Sequence, residues 1–213
     1  MLKGENLSFR YRQNQPWILR DFSIEIHSGE IVGLSGTSGL GKTTLGKILT
    51  GYLQPVKGSV SINDQPLPMQ GYCPVQMIFQ NPELVMNPRW RINKILKEGQ
   101  MPSGELLQAL NINQNWLNRW PHELSGGELQ RVAVARSLGR HTRYLIADEM
   151  TAMLDANTQA LIWGAVIDYA RKTEIGILVI SHDFWLLKRL CDRMIDLSDG
   201  NYCISPRSDT NFL

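Results

Sequence analysis

Apolar and polar residues alternate from the start of the chain. Leu7, Phe9 and Tyr11 are separated by polar neighbours, and Phe22, Ile24 and Ile26 repeat the two-residue period before a turn at Ser28-Gly29. Ile31-Val32-Gly33-Leu34 is a continuous apolar run, the pattern of a strand buried on both faces. A glycine-rich loop follows. Thr43 to Thr50 then takes a helical period, with Leu45, Ile48 and Leu49 on one face and Gly51 as a stop. Gly58 and Asn63-Asp64 bracket a short strand, Ser59–Ile62. From Asn81 to about Pro121 proline, asparagine and tryptophan become frequent and the apolar spacing is helical in short pieces.

Beyond that stretch, strands and helices alternate. Tyr144–Ala147 and Ile177–Ile180 read as buried strands, and Asn157–Ala170 as a helix with Leu161, Ile162, Ala165, Val166 and Tyr169 on its inner face. Asp199-Gly200 is a hairpin turn between Met194–Leu197 and Tyr202–Ile204. The fold class is α/β: a mostly parallel sheet covered by helices, with an N-terminal antiparallel lobe. A single domain over 1–213 is expected. The antiparallel lobe takes about 1–30 and 57–72, and a small helical lobe about 81–139.

Bulk composition adds mainly exclusions. With 22 basic and 20 acidic side chains the net charge is +2, far from the bias of a dedicated nucleic-acid binder, and Arg140 to Arg143 reads as a solvated loop. Cys73, Cys191 and Cys203 lie far apart and are odd in number, so a reducing compartment is expected rather than a disulfide framework. Met1 leads directly into folded-looking sequence, without the pattern of a signal peptide. No apolar run approaches the roughly 18–20 residues of a membrane span. Any membrane role needs another subunit to cross.

Chemistry enters at Gly36-Thr37-Ser38-Gly39-Leu40-Gly41-Lys42-Thr43, which fits G-x-x-x-x-G-K-[ST] between a strand and a helix; Thr44 follows directly. Glycines let successive N–H groups point at phosphate oxygens, and the helix start adds positive potential. Lys42 suits the β- and γ-phosphates of a bound nucleotide, and the Thr43 hydroxyl suits Mg²⁺; the loop alone does not choose among kinases, GTPases and transport ATPases. A second glycine-marked helix start is Leu124-Ser125-Gly126-Gly127-Glu128. Ser125 and Glu128 make a capping box by themselves. Two glycines in the first turn, each costing about 1 kcal/mol relative to alanine, are unexplained by a cap and suit the close approach of an anion. Tyr144-Leu145-Ile146-Ala147-Asp148-Glu149 is an apolar strand ending in two acids, which either open a solvated loop or face a ligand at a strand end. In the second reading Asp148 supports Mg²⁺ and Glu149 is the general base for the attacking water.

Leu124–Glu128 with Leu129-Gln130-Arg131 resembles the signature motif of ABC-type ATPases. The resemblance implies that Ser125, Gly126, Gly127 and Glu128 contact ATP held by a partner subunit. Glu128 stands where the family has glutamine. Met150-Thr151-Ala152-Met153-Leu154-Asp155 is similar to the family's D-loop, which implies Asp155 at the dimer seam. Met150 replaces a proline, which implies a looser loop or an asymmetric partner. His182, in Ile180-Ser181-His182-Asp183, resembles the switch histidine at the γ-phosphate. Gln80, in Met77-Ile78-Phe79-Gln80, resembles the glutamine that senses Mg²⁺ and water and opens the lobe touching the membrane subunit. Tyr11 matches the aromatic that stacks on adenine, although its alternation with Leu7 and Phe9 equally suits core packing.

The motifs stand in family order along nearly the whole chain. No heptad tract precedes the signature, as in chromosome-maintenance members, and the length excludes the two-cassette translation factors. An iron–sulfur assembly ATPase and a binding-only regulator remain as alternatives. Phe79-Gln80-Asn81-Pro82, Asn87-Pro88-Arg89-Trp90 and Trp120-Pro121-His122-Glu123-Leu124-Ser125 resemble the oligopeptide, dipeptide and nickel importers, with a shorter tail that suggests a minimal cassette. That group implies import of peptide or nickel, and ATP and Mg²⁺ as cofactors. It also implies a second ATPase subunit, transmembrane permease subunits, an extracytoplasmic substrate-binding protein, and a place on the cytoplasmic face of the membrane.

Overall fold

The computed structural model of the chain describes residues 1–198. Strands β1 (Leu2–Phe9), β2 (Leu19–Ile26), β4 (Lys57–Ile62) and β5 (Gln65–Pro66) form an antiparallel sheet in the order β2-β1-β4-β5. Asn63 and Asp64 turn β4 into β5 with φ of 49° and 61°, the left-handed pair a two-residue hairpin requires. The pairing of β1 with β2 shifts register between Gly4 and Leu7 and again before Phe9. Leu7, Ser8 and Phe9 are therefore all buried, and the strand ends before Tyr11.

The second sheet is wholly parallel. Its order is β6 (Val75–Ile78), β7 (Tyr144–Asp148), β8 (Gly176–Ile180), β3 (Ile31–Ser35) and β9 (Arg193–Asp196). Successive residues serve opposite faces. Ile31, Leu145, Ala147, Ile177 and Val179 join one core cluster, while Val32, Leu34, Ile146, Leu178 and Ile180 join the other. Burial on both faces is why these strands read as unbroken apolar runs. Helix α1 (Lys42–Leu49) and the antiparallel sheet cover one face; α4 (Gly126–Ser137), α5 (Ala156–Thr173) and α6 (Phe184–Leu190) cover the other.

Between β6 and α4 run α2 (Ile92–Glu98), α3 (Gly104–Ala109) and short 3₁₀ turns at Pro82–Val85, Gln114–Trp116 and Pro121–Glu123. Ile92, Ile95, Leu96, Leu106 and Leu110 are continuous with the core under α4 and α5. Arg131 of α4 lies 4.7 Å above the ring of buried Trp116 and donates to the Gly127, Leu110 and Asn111 carbonyls, tying α4 to this segment.

Arg193–Asp196 joins the main sheet as a parallel strand beside β3, held where the Ile31 N–H donates to Asp192 Oδ2 at 2.8 Å and Arg193 Nε donates to Glu30 Oε1 at 2.6 Å. Burial alone would raise the Glu30 pKa, yet the Arg193 guanidinium and the His27 N–H hold it below the usual range. The hairpin turn Asp199-Gly200, its second strand and Cys203 lie outside the described residues. The inner face of α5 is also wider than the expected stripe: Trp163, Ile167 and Ala170 are buried with Ile162, Ala165 and Val166, whereas Leu161 and Tyr169 are only partly covered. Cys73 and Cys191 are in the thiol form, not in a disulfide. Among the described residues no helix is long and apolar enough to cross a membrane.

Candidate functional site

The loop after β3 turns on Gly36, Gly39 and Gly41, with φ of 140°, 88° and 96°. At Gly41 glycine is required twice over, because a Cβ there would stand 2.5 Å from Ile18 Cγ2. Helix α1 starts at Lys42 with no side-chain cap, so the positive end of its dipole is left to the cleft that Lys42, Thr43 and Thr44 line. Lys42 Nζ donates to the Gly36 and Thr37 carbonyls at 2.7 and 3.0 Å, which folds the ammonium across the loop. Ser38 and Gly39 lie on the same wall.

This cleft holds about 460 Å³. Its far wall comes from the C-terminal ends of three neighbouring strands: Gln80 after β6, Asp148 and Glu149 at the end of β7, and His182 after β8. Chain ends of parallel strands are where such sheets bind ligands. Asp148 is 5% exposed, and its Oδ1 has no hydrogen-bond partner. Burial pushes its pKa up, the Thr43 hydroxyl opposes this through a hydrogen bond, and the nearby Glu149 charge adds to the rise. An orphaned carboxylate oxygen beside a threonine hydroxyl, with a glutamine amide on the same wall, is a donor set that fits a hard divalent cation. The arrangement costs stability. Asp148→Asn removes the buried charge, though not the buried polar atom, and is expected to raise Tm by roughly 2–4 °C, the shift that goes with about 1 kcal/mol. An unchanged or lower Tm would mean that the carboxylate is satisfied.

Glu149 takes φ of 50°, the left-handed region, and its N–H donates to the Ile180 carbonyl at 3.0 Å. Its carboxylate Oε1 accepts from the His182 N–H at 2.9 Å and from His182 Nδ1 at 2.8 Å. Against an ionised carboxylate the ring carries a proton on Nδ1, and Nε2 is the nitrogen left for another contact. The two side chains differ in exposure, 17% for Glu149 and 74% for His182.

Tyr11 is off the strand and 56% exposed, so it is not a core residue. Its ring meets the edge of Phe9 at 5.0 Å, its hydroxyl lies 3.3 Å from Thr44 Oγ1, and it lines the cleft. Ile18 lines the cleft too, beneath Gly41. The sequence offered no signal for it, since an isoleucine between Trp17 and Leu19 reads as strand.

Gly36, Thr37 and Leu40 of the loop do not line the cleft, and two further expected groups stay outside it. Ser125 is the N-cap of α4: its Oγ accepts from the Glu128 N–H at 3.3 Å, and Glu128 Oε2 accepts from the Ser125 N–H at 2.8 Å. The capping box is thus formed, and Glu128 completes it. Gly126 has no positive φ, and a Cβ on it would meet nothing within 4 Å; on Gly127 it would make ordinary contact with the Thr158 methyl at 3.5 Å and Leu154 Cδ2 at 3.8 Å. Among the described residues nothing in this chain asks for either glycine. Asp155 caps α5, accepting from the N–H groups of Asn157 and Thr158 and from the Thr158 hydroxyl, whose bond leads in holding its pKa low. Met150 is buried, and the loop after it is hydrogen-bonded to α5 rather than loose.

The family model of ABC transporters matches residues 19–152, taking in the phosphate loop, the Ser125 segment and the Asp148-Glu149 pair. Nickel import system ATP-binding proteins NikE of Staphylococcus aureus are 35% and 36% identical across 94% of this chain and 88% of their own length. The dimeric ATP-binding cassette MJ0796, in a post-hydrolysis state bound to ADP and Pi, superposes with a TM-score of 0.82 at 23% identity, covering 99% of this chain and 100% of that one. The protein cbiO1 of Clostridium perfringens, part of the ABC transporter complex cbiONQ, has the same fold with a TM-score of 0.78 at 23% identity, over 97% and 88%. A phosphate loop, a strand-end acid pair and a glycine-marked helix start on this two-sheet frame therefore go together with the match: the chain belongs to the ABC transporter family, as an ATP-binding subunit that hydrolyses ATP to power transport.

Proposed function

We propose that the chain works as one half of a two-cassette engine that imports nickel, as the ion or as a chelate. It sits on the cytoplasmic face of the membrane, against permease subunits fed by an extracytoplasmic substrate-binding protein. ATP lies between one cassette's phosphate loop and the other's signature. In this chain Gly36 to Thr43 cradle the phosphates, Lys42 reaches the β- and γ-phosphates, Thr44 lies beside them, and Tyr11 stacks on the base. Thr43, Asp148 and Gln80 would hold Mg²⁺, which would supply neutralisation of the phosphate charge. Glu149 takes the proton of the attacking water, and His182 both orients that carboxylate and meets the γ-phosphate. Ser125, Gly126 and Gly127 cap the partner's nucleotide, with Glu128 fixing the helix start, and Asp155 lies at the seam.

One observation carries this reading. Lys42 and Thr43 face Asp148, Glu149 and His182 across a single cleft, while the Ser125 helix start lies outside it with its first turn open. A chain that hydrolysed ATP alone would have no use for that second phosphate-binding surface. The nickel assignment takes its support from the relatives' names.

Gel filtration of the Glu149→Gln chain, mixed with any ATPase encoded beside it, tests the pairing. A two-cassette particle is expected with Mg·ATP, and separate chains with Mg·ADP. Separate chains under both conditions, with ATP bound, would make a binding-only regulator the better reading. ATP-driven uptake of nickel and not of peptide by vesicles holding the complete transporter decides the cargo.

A further inference from the structure

The segment from Met150 to Leu154 joins Glu149 to α5, and none of it lines the nucleotide cleft. Its own turns are local: the Ala152 N–H donates to the Glu149 carbonyl at 3.1 Å, and the Leu154 N–H to the Thr151 carbonyl at 3.1 Å. Two side chains one helical turn apart on α5 anchor it to the body of the protein. Gln159 Nε2 donates to the Thr151 carbonyl at 2.8 Å and to the Leu154 carbonyl at 3.3 Å. Both partners are acceptors, so the amide has one chemically sensible orientation. The Trp163 indole N–H donates to Thr151 Oγ1 at 3.1 Å, and both residues are buried. Thr151 is therefore held by backbone and by side chain at once.

Glu149 needs such support. Left-handed φ on a residue with a side chain is strained and persists only where the surroundings over-determine it. Upstream, its N–H is fixed by the Ile180 carbonyl. Downstream, its carbonyl accepts from the Ala152 N–H and position 150 is a buried methionine, without the ring that would lock φ; Thr151 is the next residue held by side chains of α5. Gln159, Trp163, Thr151, Glu149 and His182 all line one small cavity of about 100 Å³, so the anchors and the pair share a boundary.

We propose that Gln159 and Trp163 are positioning residues for hydrolysis: by holding Thr151 they keep the Glu149 carboxylate on His182 and aimed at the water. The inference rests on Glu149 being the base. A displacement of about 1 Å at such a group is enough to lower a rate by up to about 10²-fold, and nucleotide contacts across the cleft would be untouched.

The test uses the assembled two-cassette transporter. Trp163→Phe keeps an aromatic ring without the N–H, and Thr151→Val removes the same bond from the other end. Each is expected to lower kcat about 10-fold with KM and ATP affinity within about twofold. The double variant should fall no further than either single one, and Thr151→Ser should restore the rate. Gln159→Met, at a partly exposed position, carries the same expectation should a core variant fail to fold. An unchanged kcat, additive losses, or a parallel loss of ATP affinity and Tm would overturn the proposal. Glu149→Gln separates the two levels. If it turns over normally, the reading of Glu149 fails; if it is inactive while the anchor variants match the parent, only the positioning role falls.

Discussion

Replacing Glu149 with glutamine is expected to lower steady-state ATP hydrolysis by about 10²–10⁴-fold while leaving Mg·ATP affinity within a few-fold. The substitution is close to isosteric, and an amide oxygen can still accept from the His182 N–H that now meets Oε1 at 2.9 Å. The backbone bond from the Glu149 N–H to the Ile180 carbonyl is also untouched, so the left-handed turn that carries the side chain should survive. What disappears is a group able to take a proton. Phosphate release measured on the assembled transporter, beside equilibrium binding of Mg·ATP, separates the two effects. Turnover within tenfold of the parent would show that Glu149 organises the strand end and that the proton leaves by another route.

How far this pair was readable in advance is instructive. The acids at the end of an apolar strand were plain in the sequence, and so was a histidine at the end of another. Their contact was not. It depends on β7 and β8 being neighbours in the parallel sheet, and apolar runs buried on both faces carry no mark of which strand lies beside which. The phosphate loop was legible because its glycines, lysine and threonine form one contiguous segment with local physics. Tyr11 was ambiguous because a register shift in β1 breaks the two-residue period just where the sequence suggests that it continues. The four-residue β6 and seven-residue α6 are too short to show a period, and their places come from the sheet they complete. A strand at Met194–Leu197 was legible but its place was not, because the side chains of Glu30 and Asp192 dock Arg193–Asp196 beside β3. At Met150 a missing proline implied a loose loop. The hydrogen bonds from Gln159 and Trp163 reach back from α5, and the residue at 150 says nothing about them.

Gly126→Val is expected to leave the isolated chain as stable as the parent, or slightly more so, and to weaken its ATP-driven pairing by about 10–100-fold. The first half follows from the geometry of this chain. Gly126 is the first residue of α4, its φ is not left-handed, and an added Cβ meets nothing within 4 Å. Glycine in a helix is worse than an ordinary residue by up to about 1 kcal/mol, so filling the position removes a cost. The second half follows from what the open turn is for. A branched side chain there would hold a phosphate away from the N–H groups of the helix start, losing charge-assisted hydrogen bonds worth about 1.5–3 kcal/mol. Ser125→Ala is a poorer probe, because it also breaks the capping box with Glu128 and lowers stability by about 1 kcal/mol. Thermal melting of the single chain, beside sedimentation of the Glu149→Gln pair with Mg·ATP, reads both halves at once. If the valine variant pairs as tightly as its parent, the Ser125 helix start is a cap and nothing more, and the phosphate cradle must be closed by some other surface.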